Sequence, residues 1–390
     1  MDSGKFVGIL LVDMSAAFNL VVKEVIVPKL KRLGIGEFAT KLLHSYLTSR
    51  KSKTKIKGAY SAWIEVKTGI GVGSVLGPLI FILTIVCCMV VFCRVAARLR
   101  SQHFTCDTSD TNADADVKLS SVKFADDVTG LTVCKTEDQV AISLEIMMEE
   151  YDKYFSAHGL KINVAKCEHI VMGARRTRKV VINGREEATE VKLLGLSFFN
   201  QYRFGKHVDN TAEKIARRNG QLSKLTSIAD QDTMKMLANA VVMSTASYGV
   251  HVYASDVKHV NRIQVKLNKT MRMVMSSRLK VHVKDLLNMM DWMKFSEVVQ
   301  LTKILLLSRI VKNSSAPYCV KLIKDAYTQS RYMVRDVELK IAWSPNLARR
   351  GCKSFLYTAV KLYNQVKIIG KKLSDDALSK FVKSTIKSWR

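Results

Sequence analysis

The sequence of 390 residues predicts an α+β fold with a strongly basic second half. Apolar strand-like segments alternate with amphipathic helical segments over residues 1–200, which is typical of mixed helix and sheet. Beyond that point, most apolar residues recur at helical spacing. Residues 1–150 hold 18 Lys and Arg against 16 Asp and Glu, whereas residues 151–390 hold 44 against 18. Apolar types make up 48%, which excludes wholesale disorder and fibrous classes.

The first predicted element is a strand that ends in an acid. Residues 5–12 are apolar and lead directly into Asp13, so we expect a buried strand with Asp13 at its carboxyl end. No small-residue cleavage site follows, so we expect no signal peptide and a location in the nucleus or cytoplasm. The apolar spacing predicts one helix over 15–33, capped by Ser15, and another over 40–47.

A short strand, predicted over 61–67 by alternating residues, precedes an uncharged run of 25 residues, 69–93. The first half of this run is rich in glycine, as expected of a loop that enters a helix. Only the 15 residues 79–93 are continuously apolar, a length more typical of a buried core helix than of a membrane span. We therefore expect no membrane association, and a span over 74–93 stays open as the alternative.

A hairpin with two adjacent acids is predicted after a polar segment. Residues 101–120 predict an exposed loop. Strands over 122–125 and 128–134 then flank Asp126 and Asp127, which we place in the connecting turn. The pattern further predicts a helix over 138–157 and short strands at 160–163, 170–172 and 191–195.

Three acids in this region suggest a metal site. Asp13 and the pair Asp126 and Asp127 are 113 residues apart in sequence, each at the end of an apolar strand. If these strands are neighbours in one sheet, the carboxylates converge in a dry cluster, which calls for hard cations such as Mg²⁺. Two such ions would support in-line phosphoryl or nucleotidyl transfer. The simpler interpretation is a type I′ turn that favours Asp for its backbone preference.

The second half is predicted to bind a polyanion. Its excess of 26 positive charges is interleaved with apolar residues, so the charge belongs to folded helices rather than to a tail. Helices are predicted over 207–228, 263–275 and 298–311. A nucleic acid is the expected ligand, and a solvated basic surface is the alternative. The eight cysteines form no CxxC pair, which argues against a zinc site and a disulfide framework.

Five segments, in order, resemble the motifs of non-LTR retrotransposon reverse transcriptases. Motifs A to E are matched in turn by residues 12–19, 69–81, 124–127, 159–168 and 191–195. Residues 248–253 and 263–264 resemble the CR1/Jockey-like branch of this LINE-type family. Each motif alone has modest specificity, but five in this order and at plausible spacing make chance a poor explanation.

This resemblance implies a domain organisation. A reverse-transcriptase palm, an antiparallel sheet with packing helices in a ferredoxin-like core, would occupy residues 1–200. A helical thumb would follow over 201–275, and a basic helical C-terminal region over 276–390. The fingers that precede motif A in the family have no counterpart in the sequence, so we expect an N-terminally truncated product.

The resemblance also assigns catalytic roles to individual residues. Asp13, Asp126 and Asp127, with the backbone carbonyl of Met14, would hold two Mg²⁺ ions, for which Mn²⁺ could substitute. Lys166 would protonate the leaving pyrophosphate or stabilise its charge. The alternative for Lys166 is an ordinary surface lysine.

Three further residues would contact substrates. Phe18 occupies the position of an aromatic steric gate, which excludes the ribose 2′-OH and so favours deoxynucleotides; its alternative is a helix core residue. Gly73 and Ser74 would line the nucleotide and template side of motif B. The implied partners are an RNA template, a DNA primer and dNTPs, and no stable protein partner is predicted.

Departures from the family pattern leave two functions open. Gly71 and Val72 replace the usual Pro-Gln of motif B, and loss of a buried polar contact there could cost about 1–3 kcal/mol. The first hypothesis is a reverse transcriptase fragment, an RNA-directed DNA polymerase that adds dNTPs to a primer 3′-OH. The second is a catalytically inactive retroelement relic that only binds nucleic acid, and whether the chain is an enzyme stays open at this point.

Overall fold

The structure of the chain is a computed structural model. It describes residues 5–48, 50–71, 73–85, 89–108, 115–173, 176–201, 204–276, 281–313, 355–366 and 375–388. Val72 of motif B therefore lies outside the described residues. The chain forms two compact units, Ser3–Tyr202 and Arg203–Arg390. The threefold division at residues 200 and 275 stays a prediction.

The first unit combines helices, one larger sheet and several two-stranded ribbons, in agreement with the predicted α+β class. Its helices are α1 (Ala17–Leu20), α2 (Lys23–Arg32), α3 (Glu37–Leu47), α4 (Leu76–Ile85), α5 (Met89–Ser101) and α6 (Glu137–Ser156). Its strands are β1 (Phe6–Val12), β2 (Met14–Ser15), β3 (Lys51–Ser52), β4 (Lys55–Ile56), β5 (Ala59–Tyr60), β6 (Ile64–Glu65), β7 (Cys106–Asp107), β8 (Val117–Phe124), β9 (Asp127–Cys134), β10 (Lys161–Ile162), β11 (Glu168–Met172), β12 (Val181–Ile182), β13 (Arg185–Glu186), β14 (Glu190–Leu193) and β15 (Leu196–Phe199).

A five-stranded sheet forms the centre of this unit, in the order β11-β1-β9-β8-β7. Its strand pairs are antiparallel except β7 and β8. The strand β1 is apolar throughout because it is flanked on both edges: Ile9 pairs with Ile170 of β11 and with Leu131 of β9. Side chains alternate between faces, so Leu10 and Val12 join the main core while Ile9 packs with Ile170 in a second cluster.

Helix α6 packs on β1 and β9 over two glycines. A Cβ on Gly8 would lie 2.6 Å from Val140 Cγ1, and a Cβ on Gly130 would lie 2.1 Å from Met147 Sδ. A side chain on Gly8 would therefore meet the stiff Val140, whereas the flexible end of the Met147 side chain can move away from a methyl on Gly130. The close packing of α6 on the sheet therefore depends on glycine at position 8.

Replacing Gly8 with alanine is expected to destabilise the first unit by about 1–3 kcal/mol. The added methyl would press on Val140 and Thr132, whose β-branched side chains have little rotational freedom. Urea denaturation followed by circular dichroism measures the change in the free energy of unfolding. Gly36→Ala is the control, since a Cβ there meets nothing within 4 Å. Equal losses in the two variants would contradict the packing argument.

The helix predicted over 15–33 is broken into α1 and α2, so this prediction was wrong. The Gly69 amide donates to the Val21 carbonyl over 2.8 Å, and the Ile70 amide donates to the Phe18 carbonyl over 2.8 Å. The two carbonyls therefore accept from distant amides, and not from the amides four residues later as in a continuous helix. Val21 is accordingly outside the helical region, at φ −54° and ψ 125°.

Other local predictions were also wrong. Ser15 does not cap the helix, because it lies in β2, and the N-cap is Ala16 at φ 45°. The strand predicted over 61–67 is reduced to β6, since only its two residues find a partner strand, β3. The segment 101–120 is not simply an exposed loop, because β7 and the start of β8 lie in it and Asp107 is buried.

The uncharged run forms a loop followed by α4 and α5. Ile80 and Phe81 of α4 are fully buried in the main core. The buried Lys29 ammonium donates to the Thr84 carbonyl, which holds α2 against α4. By length and composition the stretch Leu76–Ser101 could cross a membrane, and half of its most apolar window is buried inside the protein.

The described part of the second unit consists of helices and their connections. They are α7 (Gly205–Leu222), a 3₁₀ turn (Ser223–Leu225), α8 (Gln231–Leu237), a π-helical segment (Ala238–Met243), α9 (Ser244–Ser247), α10 (Val250–Tyr253), α11 (Val257–Val274), α12 (Val283–Met289), α13 (Phe295–Asn313), α14 (Phe355–Val366) and α15 (Asp375–Ser388). Helix α7 packs on α11, and α13 packs on α14 and α15. The three predicted helices are confirmed, with α7 ending earlier and α11 beginning earlier than predicted.

A buried ionic cluster joins α6 to the ribbon of β12 and β13 in the first unit. Arg176 Nη2 donates to Glu187 Oε2 over 2.6 Å, and Arg176 Nε donates to Glu137 Oε1 over 3.2 Å. The Thr177 hydroxyl donates to Glu137 Oε2 over 2.6 Å. Burial raises the pKa of Glu137, but the bonds from Thr177 and the charge of Arg176 outweigh it, so the pKa lies below its usual value.

Replacing Glu137 with glutamine is expected to cost about 1–3 kcal/mol of stability at neutral pH. A lowered pKa stabilises the fold above the unfolded-state value of about 4.3, and this contribution is lost as pH falls through the lower folded-state value. The difference between variant and wild type should therefore shrink below about pH 4. Urea denaturation at neutral pH and below about pH 4 measures the free energy of unfolding of both proteins. Glu186→Gln, which breaks an exposed pair with Lys179, should have little effect.

Candidate active site

Asp13 and Asp127 lie at the ends of two adjacent strands. Val12, the last residue of β1, pairs with Val128 of β9. The register ends at this pair, and Asp13 and Asp127 are the next residues along the two strands, close enough for the charge of Asp13 to raise the pKa of Asp127. Asp126 precedes Asp127 directly. The fold therefore brings the first acid of the sequence beside the acidic pair.

The turn that carries Asp126 is shifted by one residue from the predicted position. Phe124 pairs with Asp127, so Ala125 and Asp126 form the turn and Asp127 is the first residue of β9. Ala125 has φ 52°, whereas Asp126 does not have a positive φ, so the turn is not type I′. The backbone ladder therefore positions Asp127, while Asp126 belongs to the tip.

The acids affect each other electrostatically. Partial burial raises the pKa of Asp127, and the negative charges of Asp126 and Asp13 raise it further. The expectation of a dry cluster was wrong, because Asp126 and Asp127 are exposed and 37% of the Asp13 side chain is accessible. A cation that binds between these carboxylates would reduce their mutual repulsion.

Motif D lies against motif A. Its strand β10 pairs with β2, where Met14 faces Ile162 in the register. The backbone amide of Asn163 donates to the backbone carbonyl of Asp13 over 2.9 Å. Lys166 follows in the next turn, and its Nζ lies 4.0 Å from Asp13 Oδ2 while 69% of its side chain is accessible. This arrangement leaves the ammonium group beside the acids and open to an incoming anion.

Motifs A and B meet at Phe18. The Phe18 ring stacks on Phe81 of α4, with centroids 4.8 Å apart and an interplanar angle of 20°. The Phe18 carbonyl accepts from the Ile70 amide. A Cβ on Gly69 would lie 2.8 Å from the backbone carbonyl oxygen of Asn19, so this close approach of the two chains requires glycine. The half-buried ring thus has packing contacts, and its role as a gate stays a prediction.

The predicted motif B residues lie at the entrance to α4. Gly73 is exposed at φ +81°, a conformation that favours glycine. Ser74 Oγ accepts from the Gly77 amide over 3.0 Å and donates to the Gly71 carbonyl over 2.7 Å. Ser74 therefore orders the loop and the first turn of α4. Contacts of Gly73 and Ser74 with a nucleotide or template stay predictions.

Sequence reasoning missed Arg50. Its guanidinium donates to the Gly69 carbonyl and lies 5.9 Å from the centre of the Tyr46 ring. Arg50 borders an open cleft of about 510 Å³ that is also lined by Asn19, Lys51 and Gly71. In the sequence Arg50 is one arginine before a run of alternating lysines, and nothing there distinguishes it. Arg50 and Lys51 thus give this cleft a basic wall beside motifs A and B.

The donor chemistry of the site fits a hard divalent cation in part. Carboxylate oxygens are the ligands that such cations prefer, and Asp13 and Asp127 are coupled across the strand pair. Among the described residues, however, no group of three or more His, Cys, Asp or Glu side chains is arranged to hold a metal ion. Coordination by all three acids and by the Met14 carbonyl therefore stays a prediction.

Comparison with known proteins decides the family. Residues 2–198 match the family described as "Reverse transcriptase (RNA-dependent DNA polymerase)". The chain belongs to the reverse transcriptase family. Members of this family generally use divalent metal ions and bind a nucleic acid template.

Curated relatives of the chain come from mobile elements of Drosophila. The chain is 24% identical over 286 residues to the probable RNA-directed DNA polymerase from transposon BS of Drosophila melanogaster, covering 70% of this chain and 29% of that protein. The RNA-directed DNA polymerase from mobile element jockey of the same species is 23% identical, with 70% and 29% covered. The predicted Jockey-like resemblance is confirmed. The chain spans about 29% of the length of these curated relatives.

Solved structures of telomerases also show a likeness to the chain. Apo telomerase from Candida tropicalis is 10% identical, with a TM-score of 0.35 over 80% of this chain and 52% of that one. Telomerase from Candida albicans, in complex with the TWJ fragment of telomeric RNA, is 13% identical, with a TM-score of 0.31 over 84% and 50% of the two chains.

Proposed function

We propose that this chain is an RNA-directed DNA polymerase that adds dNTPs to the 3′-OH of a DNA primer on an RNA template. The position of Asp13 beside Asp127, on adjacent strand ends, carries the proposal. These acids belong to motifs A and C, which are separate in sequence and adjacent in the fold. We further propose that the five-stranded sheet with α6 is the palm.

The reaction joins the primer 3′-oxygen, whose proton passes to solvent, to the α-phosphorus of a dNTP and breaks the bond from that phosphorus to pyrophosphate. Asp13 and Asp127, with Asp126, would hold divalent cations, Mg²⁺ or in its place Mn²⁺, which supply charge neutralisation at the phosphorus centre. Lys166 would donate a proton to the departing pyrophosphate oxygen, or neutralise its charge. Its exposed ammonium beside Asp13 is suited to this role.

Substrate selection would lie at the contact of motifs A and B. Phe18 would block a ribose 2′-OH, so that deoxynucleotides are preferred. Gly73 and Ser74 would form the neighbouring wall at the entrance to α4. The net positive charge of residues 151–390 would hold the primer–template through its phosphates.

Primer extension tests the proposal. The purified chain is incubated with an RNA template, a labelled DNA primer, dNTPs and Mg²⁺, and DNA longer than the primer is the expected product. The second candidate, a relic that only binds nucleic acid, is favoured by the missing three-acid arrangement among the described residues. Tight primer–template binding without any extension, in Mg²⁺ and in Mn²⁺, would establish that candidate instead.

A further inference from the structure

A hairpin in the first unit is exposed along its whole length. Residues 51–65 form two short ribbons, β3 with β6 and β4 with β5, and every residue in this range is exposed. Lys57 and Gly58 close it with φ of +48° and +91°. Trp63 is 62% accessible and Tyr60 is 55% accessible. A two-stranded ribbon without buried side chains is marginally stable by itself, so these rings serve another purpose than the core.

Lysines and rings of the 51–65 hairpin share one surface. Lys51, Lys53 and Lys55 occupy alternate positions before the turn, and alternate residues of an extended segment face the same way. The Lys53 ammonium lies 4.0 Å from the centre of the Tyr60 ring and 4.7 Å from that of Trp63. The Lys55 ammonium lies 5.2 Å from Tyr60. The surface therefore combines a row of cations with two accessible aromatic rings.

We propose that this surface binds single-stranded RNA. Accessible rings stack on unpaired bases, and a row of ammonium groups follows the phosphates of the same strand. A duplex hides the faces of its bases and offers only its phosphates, so it would contact the lysines but not the rings. A protein partner would have to supply acids opposite these lysines, and residues 51–67 themselves contain one acid, Glu65.

The position of the hairpin identifies the strand that it binds. Its first residue, Lys51, lines the open cleft that is also bordered by Asn19 and Gly71 of motifs A and B. A strand on the hairpin would therefore adjoin a cleft whose walls include residues of motifs A and B. Naming this strand as the unpaired part of the RNA template rests on the proposed polymerase function. The binding surface itself does not require catalysis.

Fluorescence anisotropy of a labelled, unstructured RNA of about 15 nucleotides tests the proposal. The full chain is measured with EDTA and without dNTPs, both as wild type and with Asp127→Asn, so that failure of catalysis has no influence. Lys53→Ala combined with Trp63→Ala should weaken binding about 10-fold or more. It should also lower the dependence of affinity on salt, by about 0.7 in the log–log slope for the lost lysine.

A matched control removes the same two residue types elsewhere in the first unit. Phe38 is 83% accessible and Lys41 is exposed on the same helix, so Phe38→Ala with Lys41→Ala changes charge and ring count equally. The control should bind RNA as wild type does. Single-stranded DNA should lose affinity in parallel with RNA, since the contacts do not involve the 2′-OH. Unchanged RNA affinity in the hairpin variant, equal losses in the control, or a loss confined to duplex would each overturn the proposal.

Discussion

Replacing Asp127 with asparagine is expected to lower the rate of primer extension by at least about 100-fold. Asp127 begins β9 and is held by its backbone pairing with Phe124, so the variant should keep its position. The lost charge is the one that would neutralise the transferring phosphoryl group with a bound cation. Single-turnover extension with Mg²⁺ measures the effect, and circular dichroism shows that the fold is retained.

The control for this prediction is Asp138→Asn. Asp138 lies in the first turn of α6, pairs with Arg178 and is 70% accessible. Its replacement changes the net charge of the chain by the same amount without touching the strand ends. Extension by Asp138→Asn should equal that of the wild type. Normal extension by Asp127→Asn would remove this residue from the reaction.

Shortening Phe18 to leucine is expected to increase the use of ribonucleotides relative to deoxynucleotides by about 10- to 100-fold. The smaller side chain would leave room for the 2′-OH while keeping an apolar residue against α4. Steady-state extension with single dNTPs and rNTPs gives the ratio of kcat/KM for the two sugars. The expected change lies mainly in the ribonucleotide values.

Replacing the stacking partner of Phe18 distinguishes a packing role of Phe18 from a role in sugar selection. Phe81→Leu removes the same ring pair, which is worth about 0.5–1.5 kcal/mol, from a fully buried position. It should lower stability and leave sugar selection unchanged. If both variants changed the ratio equally, Phe18 would act only as a core residue.

The parts of the fold that sequence predicted well are those with strong local patterns. The strand before Asp13 is apolar at every position, because it is flanked by β11 and β9, and it was predicted to within a residue. The helix α6 has a capping box between Thr136 and Gln139 and a long apolar stripe, so its bounds differ from prediction by one residue. The adjacency of motifs A and C followed from family resemblance and was reproduced by the strand register.

The failures arise where long-range contacts decide local structure. No local signal shows that amides of Gly69 and Ile70 would interrupt the helix after Leu20, since they are almost 50 residues away. The hairpin turn shifted because the ladder extends to Phe124 and Asp127, which places one acid in the strand. Arg50 was missed because its importance depends on the Gly69 carbonyl, a partner that the sequence does not indicate.

Cleavage of the chain by bound iron tests the central claim most directly, because it reports position rather than activity. Fe²⁺ replaces Mg²⁺ at oxygen-ligand sites, and with ascorbate and peroxide it cuts the backbone beside the ion. Cuts are expected near Asp13 and near Asp127 in the same molecule, both suppressed by excess Mg²⁺ and both lost in Asp13→Asn. Cuts near only one of these acids, or cuts elsewhere that Mg²⁺ does not suppress, would contradict a shared cation site on the two strand ends.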